Sequence, residues 1–218
     1  MFLRKDNSIK WKWLTYASVL TFVLCMAGIL GLDKPVYMFF RGLDGPLWKW
    51  LSIFNSEFWL VASFVAAVVV FVRTNAKTTL KFKIKNAVSW IREKFSNNYA
   101  FLVLCSVFTA SVITGILKFI LGRARPVFFE ALDRTGFYPW NNEWAFNSMP
   151  SGHTTAGFAA LVMIGMLFPK IKWATWTTAI LIGVSRICIG AHFPSDVILG
   201  AFIGMVTADF VKHFFLKK

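Results

Sequence analysis

Acidic residues are scarce in this sequence: 10 Asp and Glu among 218 residues, against 24 Lys and Arg, for a formal net charge of +14. Charge of either sign is scarce too, at 16% of residues where soluble domains carry about a quarter. A chain that is 57% hydrophobic has ample surface to bury, which excludes intrinsic disorder. Cysteine is limited to Cys25, Cys105 and Cys188, an odd number set in apolar runs, which excludes a disulfide scaffold. There is no internal repeat, no low-complexity tract and no nucleic-acid-binding motif. The excess of +14 fits nucleic acid, an anionic membrane surface or an anionic substrate. Only the positions of the charges can choose among these.

Long apolar runs are abundant. A bilayer core of about 30 Å takes roughly 20 residues of apolar helix. Residues 14–32 supply 19 without a formal charge, 58–72 a further 15 and 99–117 another 19. Residues 154–168, 173–189 (with Arg186) and 193–211 (with Asp196 and Asp209) are apolar but shorter or interrupted. The expected fold is an all-α integral membrane protein, one domain over 1–218, with six transmembrane helices in a bundle plus short interfacial helices. Arg4, Lys5, Lys10 and Lys12 before the first run also fit a signal peptide. That run is long for one, however, and no small-x-small cleavage site follows it. Leu24 before Cys25 spoils a lipoprotein-type site as well, so the run reads as a retained anchor.

Orientation follows from the Lys and Arg distribution. With the N-terminus inside, 16 basic residues lie on the cytoplasmic side and 8 outside. Asp6, Glu93 and Asp209 are inside and the other seven acids outside, so the net charge divides into +13 and +1. Both termini of a multi-pass cell (inner) membrane protein are then expected in the cytoplasm. Trp11, Trp13, Trp59, Trp140, Trp144, Trp173 and Trp176 fall near span ends, where amphipathic rings prefer the interface. Between Lys77 and Phe95, Leu80, Ile84, Val88 and Ile91 recur at helical spacing among lysines, as in a basic helix lying on the anionic inner leaflet. Residues 39–55, with Trp48, Trp50, Leu51 and Phe54, read as an outer counterpart. Basic residues that flank spans on one side argue against nucleic acid as a partner, and no obligate protein partner is implied.

Ionisable groups within or capping membrane helices are costly and usually functional. Here they collect on the outer side in three clusters. Lys118 and Arg125 are seven apart, so a helix stopped by Pro126 would carry both on one face, able to grip an anion. Snorkelling to headgroups is the plainer alternative. Pro150-Ser151-Gly152-His153 precedes the fourth run. A serine N-cap, a glycine allowing close approach and free helix N–H groups make an anion site, with His153 beside it as a proton donor. A simple capped helix with an interfacial histidine explains the same residues. In the third cluster Arg186 suits bidentate phosphate contacts, while His192 and Asp196 straddle Pro194, so the carboxylate can fix the imidazole tautomer. A buried pair that only ties helices together is the alternative there. Taken jointly, three cations, a helix N-terminus, two histidines and an acid suit phosphoryl transfer.

Lys118-x6-Arg125-Pro126, Pro150-Ser151-Gly152-His153 and Ser185-Arg186-x5-His192-x3-Asp196 resemble the three-part signature of the type-2 phosphatidic acid phosphatase superfamily, complete and in order. The resemblance implies catalysis by His192 as nucleophile, with Asp196 orienting it and His153 as acid and then base. It implies a phosphate held by Lys118, Arg125, Ser151, Gly152 and Arg186. No metal or other cofactor is implied, and only His153 and His192 face outward, His213 lying inside. Relatives include soluble acid phosphatases and vanadium haloperoxidases; the spans favour the lipid phosphatase branch. The expected function is hydrolysis of a lipid phosphate monoester or diphosphate at the outer (periplasmic or extracellular) face. Candidate substrates are phosphatidylglycerophosphate, undecaprenyl diphosphate, a lipid A phosphate and phosphatidic acid. A lipid-to-lipid phosphotransferase with the same residues is the enzymatic alternative, and a lipid transporter the non-enzymatic one. The aromatics of the loop 127–149 either border the lipid's path or anchor the interface.

Overall fold

Backbone N–H and C=O groups inside a bilayer must be satisfied within the chain, and helices do this locally. The computed structural model, which describes all residues except 1, 5, 55, 76–96, 142 and 217–218, is built accordingly. Its helices are α1 (Trp11–Ala27), α2 (Asp33–Arg41), α3 (Pro46–Leu51), α4 (Ser56–Asn75), α5 (Tyr99–Leu121), α6 (Pro126–Leu132), α7 (Gly152–Leu167), α8 (Lys172–Cys188) and α9 (Pro194–Leu216). Among the described residues there is no β-strand, only the isolated bridges Leu3–Ile9 and Arg123–Phe137.

Each of the six apolar runs lies in a helix: α1, α4, α5, α7, α8 and α9. Among the described residues three stretches, Trp11–Arg41, Tyr99–Leu121 and Pro194–Leu216, are long and apolar enough to cross a membrane. The first does not end at residue 32 as its hydropathy implies. The chain kinks at Gly31 (φ 161°) and continues as α2, which Asp33 enters buried. Residues 39–41 consequently belong to α2, and the expected outer interfacial helix shrinks to α3, with Leu47 and Trp50 exposed. The basic helix expected between Lys77 and Phe95 lies outside the described residues.

At the centre stands α7, packed against α5, α8 and α9 and, more lightly, α4. Its 16 residues cover roughly 24 Å at 1.5 Å per residue, less than a bilayer core. The helix is rich in small residues, and Ala156, Ala159 and Ala160 are almost wholly buried. Between helices in lipid, small residues gain attraction by close backbone approach. A Cβ added at Gly200 would lie 2.8 Å from the Ser151 carbonyl oxygen, and one at Gly204 only 2.5 Å from that of Thr155. Ser106 adds an interhelical hydrogen bond, its hydroxyl donating to the Ala159 carbonyl at 3.0 Å.

The far end of α9 is closed by the N-terminal segment. Phe2 and Ile9 are buried, and the Phe2 N–H donates to Asp209 Oδ2 at 2.7 Å. Asp209 is thus a buried acceptor for this latch, at the end of α9 opposite Asp196.

Candidate active site

The first cluster is not a helix face. α5 stops at Leu121 because Gly122 adopts the left-handed conformation (φ 57°) and its N–H returns to the Lys118 carbonyl at 2.8 Å. A Cβ at Gly122 would also strike the Tyr138 carbonyl. Arg125 therefore lies beyond the helix in extended backbone, and Pro126 does not end α5 but begins α6, at the first position where proline is favoured. The two cations still meet. Lys118 Nζ, from the last turn of α5, and Arg125 Nη2, at 3.4 Å, both donate to the Asn147 carbonyl. Arg125 does not snorkel outward: its Nε donates to the Trp144 carbonyl at 2.9 Å, and its guanidinium lies 4.1 Å from the centre of the Trp144 ring. Burial pulls Arg125 down to about 10, which leaves it a cation at neutral pH.

The head of α7 lies beside Lys118, whose Cε would be 3.8 Å from a Cβ built on Gly152. Ser151 occupies the N-cap position but makes no side-chain cap bond. Its Oγ instead accepts from Thr154 Oγ1 at 3.0 Å, and its N–H donates to the Asp196 carbonyl at 3.0 Å. His153, on the first turn, is half-buried and within electrostatic reach of Arg186, Arg125 and Lys118.

α8 ends in a Schellman motif. The Gly190 N–H donates to the Ile187 carbonyl and the Ala191 N–H to that of Arg186, both at 3.0 Å, with Gly190 at φ 77°. That turn places His192, 2% exposed, in the short connection before α9. Its Nδ1 is 3.7 Å from Asp196 Oδ2, beyond hydrogen-bond range, and stands buried with no hydrogen-bond partner. Burial pushes the imidazole down to about 3. Asp196 opposes that shift, and the Lys118 and Arg125 cations add to it. Arg186 Nε is likewise buried and unpartnered.

One arginine at this site is not among the expected residues. Arg123, 4% exposed, donates from Nη1 to Asp196 Oδ1 and from Nη2 to Asp33 Oδ2, both at 2.6 Å. Asp196 Oδ2 accepts from Ser148 Oγ at 2.6 Å and from the Phe193 N–H at 2.9 Å. In sequence the only sign was Arg123's place inside the first motif, and Asp33 read as the polar residue that ends a span.

Carboxylates are distributed unevenly. Lys34 pairs with Asp133, Arg41 with Glu130 and Asp44, Lys49 with Asp44, and Arg123 with Asp33 and Asp196. Among the described residues, Lys118, Arg125 and Arg186 have no carboxylate within 4.0 Å, although each lies in the electrostatic range of another. Three largely buried cations without a counter-ion, next to two imidazoles, form a site built for an anion. The aromatics of the neighbouring loop pack on one another, with Phe128 stacked on Phe146 at 5.2 Å and Tyr138 at 4.7 Å from Phe146. They brace the segment that carries Trp144 and Asn147.

The family model described as PAP2 superfamily matches residues 99–218. The lipid A 1-phosphatase of Rhizobium johnstonii is 38% identical over 117 residues, covering 54% of this chain and 45% of that protein. The undecaprenyl-diphosphatase BcrC of Bacillus subtilis is 41% identical over 66 residues, 29% of this chain and 33% of that one. The chain thus spans less than half the length of these curated relatives. Among solved structures, a transmembrane PAP2-type phosphatidylglycerolphosphate phosphatase from Bacillus subtilis superposes with a TM-score of 0.62 at 19% identity, covering 92% of this chain and 94% of that one. That likeness shows a shared fold.

Proposed function

The chain belongs to the PAP2 superfamily, and from that membership we propose that it is a membrane lipid phosphate phosphatase working through a phosphohistidine on His192. The observation that carries this reading is the set of three cations without carboxylate partners, Lys118, Arg125 and Arg186, gathered where the head of α7 meets the α8–α9 connection. A phosphate dianion supplies the missing counter-charge. In a dry site, cations aimed at its nonbridging oxygens favour the still more spread charge of the transition state.

His192 attacks phosphorus through Nε2, forming a P–N bond as the P–O bond to the lipid breaks. His153 gives its proton to the departing oxygen. The phosphorylated imidazole becomes cationic, and Asp196, beside Nδ1, balances it. His153, now neutral, takes a proton from water, whose oxygen attacks phosphorus. The P–N bond breaks and inorganic phosphate leaves. Ser151 and the Gly152 backbone complete the phosphate cradle from the head of α7.

The substrate in this reading is a phosphate monoester or diphosphate of a lipid. The relatives' names include lipid A and undecaprenyl diphosphate, and phosphatidylglycerophosphate and phosphatidic acid share the headgroup chemistry. The protein is read as one domain over 1–218 whose six apolar helices, α1, α4, α5, α7, α8 and α9, cross the membrane. Both termini then lie in the cytoplasm and the site opens to the outer face, as the Lys and Arg distribution supports.

The test gives purified protein in detergent a panel of radiolabelled lipid phosphates and diphosphates. Release of inorganic phosphate is expected for the wild type and should be lost in His192→Ala, with the variant expected to elute like the wild type on size exclusion. Wild-type turnover in that variant would overturn the mechanism, and label appearing on a second lipid would replace hydrolysis by phosphotransfer.

A further inference from the structure

Between the site and the first span lies a buried charged cluster that joins Asp196 to three residues the proposed reaction does not use. Asp33, Arg123, Ser195 and Asp196 are each at most 4% exposed. Their bonds run as a chain. Asp33 Oδ2 accepts from Arg123 Nη2 and from Ser195 Oγ, each at 2.6 Å, and its Oδ1 accepts from the Ser195 N–H at 2.9 Å. Arg123 Nη1 donates to Ser195 Oγ and to Asp196 Oδ1, again at 2.6 Å. The rings of Phe193, 4.7 Å from the guanidinium carbon, and Phe137 at 5.6 Å flank it. The approach of α1 depends on Gly28, where a Cβ would lie 2.8 Å from both Asp33 Oδ1 and Ser195 Cβ. Asp33 itself sits two residues after the kink at Gly31 (φ 161°), at the start of α2.

Such a cluster is a poor device for stability alone. Desolvating three ionised groups costs several kcal/mol each, and apolar residues of similar size often do as well or better. Its geometry bears on His192 instead. Arg123 holds Asp196 Oδ1 while the Ser148 hydroxyl and the Phe193 N–H hold Oδ2, so the carboxylate does not rotate and Oδ2 stays at the edge facing His192 Nδ1. Once Nε2 is bonded to phosphorus, Nδ1 carries a proton and needs an acceptor. Asp196 Oδ2, 3.7 Å away, comes into range with a movement of less than 1 Å.

We infer that Asp33, Arg123 and Ser195 form a positioning relay that fixes Asp196 for His192, so that the first span, outside the family-matched residues 99–218, completes the site. This rests on the phosphohistidine reading above. Asp33 and Arg123 touch neither substrate nor the reacting atoms, so they act through Asp196.

The test measures phosphohistidine formation by rapid quench with a 32P-labelled lipid phosphate in the wild type, Asp33→Asn, Arg123→Lys and the milder Ser195→Ala. Misplacement on the ångström scale costs about 100-fold in rate. Asp33→Asn and Arg123→Lys should slow the rate constant by about that factor and Ser195→Ala by about 10-fold. KM and inhibition by inorganic phosphate should hold within about threefold, because Lys118, Arg125 and Arg186 are untouched. A merely structural role would lower the burst amplitude, the fraction of active enzyme, at an unchanged rate constant. That result in Asp33→Asn, or in Ser195→Ala should the charged variants fail to fold, overturns the relay while leaving the phosphohistidine intact. A wild type that forms no phosphohistidine overturns both.

Discussion

In the proposed mechanism His192 has to be sheltered enough to be positioned and basic enough to attack. Its surroundings favour the first demand. Burial leads, Lys118 and Arg125 add to it, and only Asp196 opposes, so the imidazole is held down to about 3 against the usual 6.5. A depressed histidine stays neutral, hence nucleophilic, until the pH falls to its folded value. The chain has three histidines, which makes this measurable by 15N NMR of histidine-labelled protein, with His192 assigned through His192→Gln. In the free protein the His192 resonances should be those of a neutral ring at pH 5, while an exposed imidazole would be mostly charged. Adding phosphate should move the titration upward, since the anion cancels the two cations that depress it. A charged ring at pH 5 without ligand would contradict the geometry. All the proposed site residues were visible in the sequence, because each motif joins residues a few positions apart. Arg123 and Asp33 were not, because the bonds that give them meaning join positions 73 and 90 residues apart. Nothing in the sequence distinguishes Arg123, buried between two carboxylates, from a basic residue at the end of a span.

At the level of elements, the apolar runs located six of the helices but not where they stop. The left-handed turn at Gly122 released Arg125 from α5, and the same turn sends the chain along Phe137 to make the Arg123–Phe137 bridge. The kink at Gly31 and the close approach of Gly28 to Ser195 of α9 involve contacts that a single segment does not display. Close packing of α7 on α9 is the other element-scale feature, and it depends on absent side chains. Gly204→Ala would bring a methyl group to 2.5 Å from the Thr155 carbonyl and 2.9 Å from the Ala159 nitrogen, backbone atoms that yield only if the helices part. Overpacking of this kind costs about 2 kcal/mol. The variant should therefore unfold at a lower denaturant concentration in detergent. Gly115→Ala is the control: nothing lies within 4 Å of its Cβ, so it should be neutral, or stabilising by up to about 1 kcal/mol through helix propensity. Equal losses in both variants would mean that α7 and α9 are not in backbone contact.

For the whole molecule, the question is what the excess of positive charge does. Of the seven acids assigned to the outer side, Asp33, Asp44, Glu130, Asp133 and Asp196 are engaged in ion pairs there, and this leaves Lys118, Arg125 and Arg186 for an anion. The larger share of the charge is assigned by the sequence to the opposite side, and the proposed orientation rests on it. The two functions are separable by experiment. Trp140 is exposed on the loop beside the site and Lys12 is exposed at the start of α1, so single cysteines at these positions report opposite sides. The native thiols interfere little, since Cys25 and Cys188 are buried and Cys105 half-buried. In intact cells a membrane-impermeant maleimide should label Trp140→Cys, and Lys12→Cys only after permeabilisation. The reverse pattern would put the anion site on the cytoplasmic side, and the +13 would then have to be explained by something other than topology.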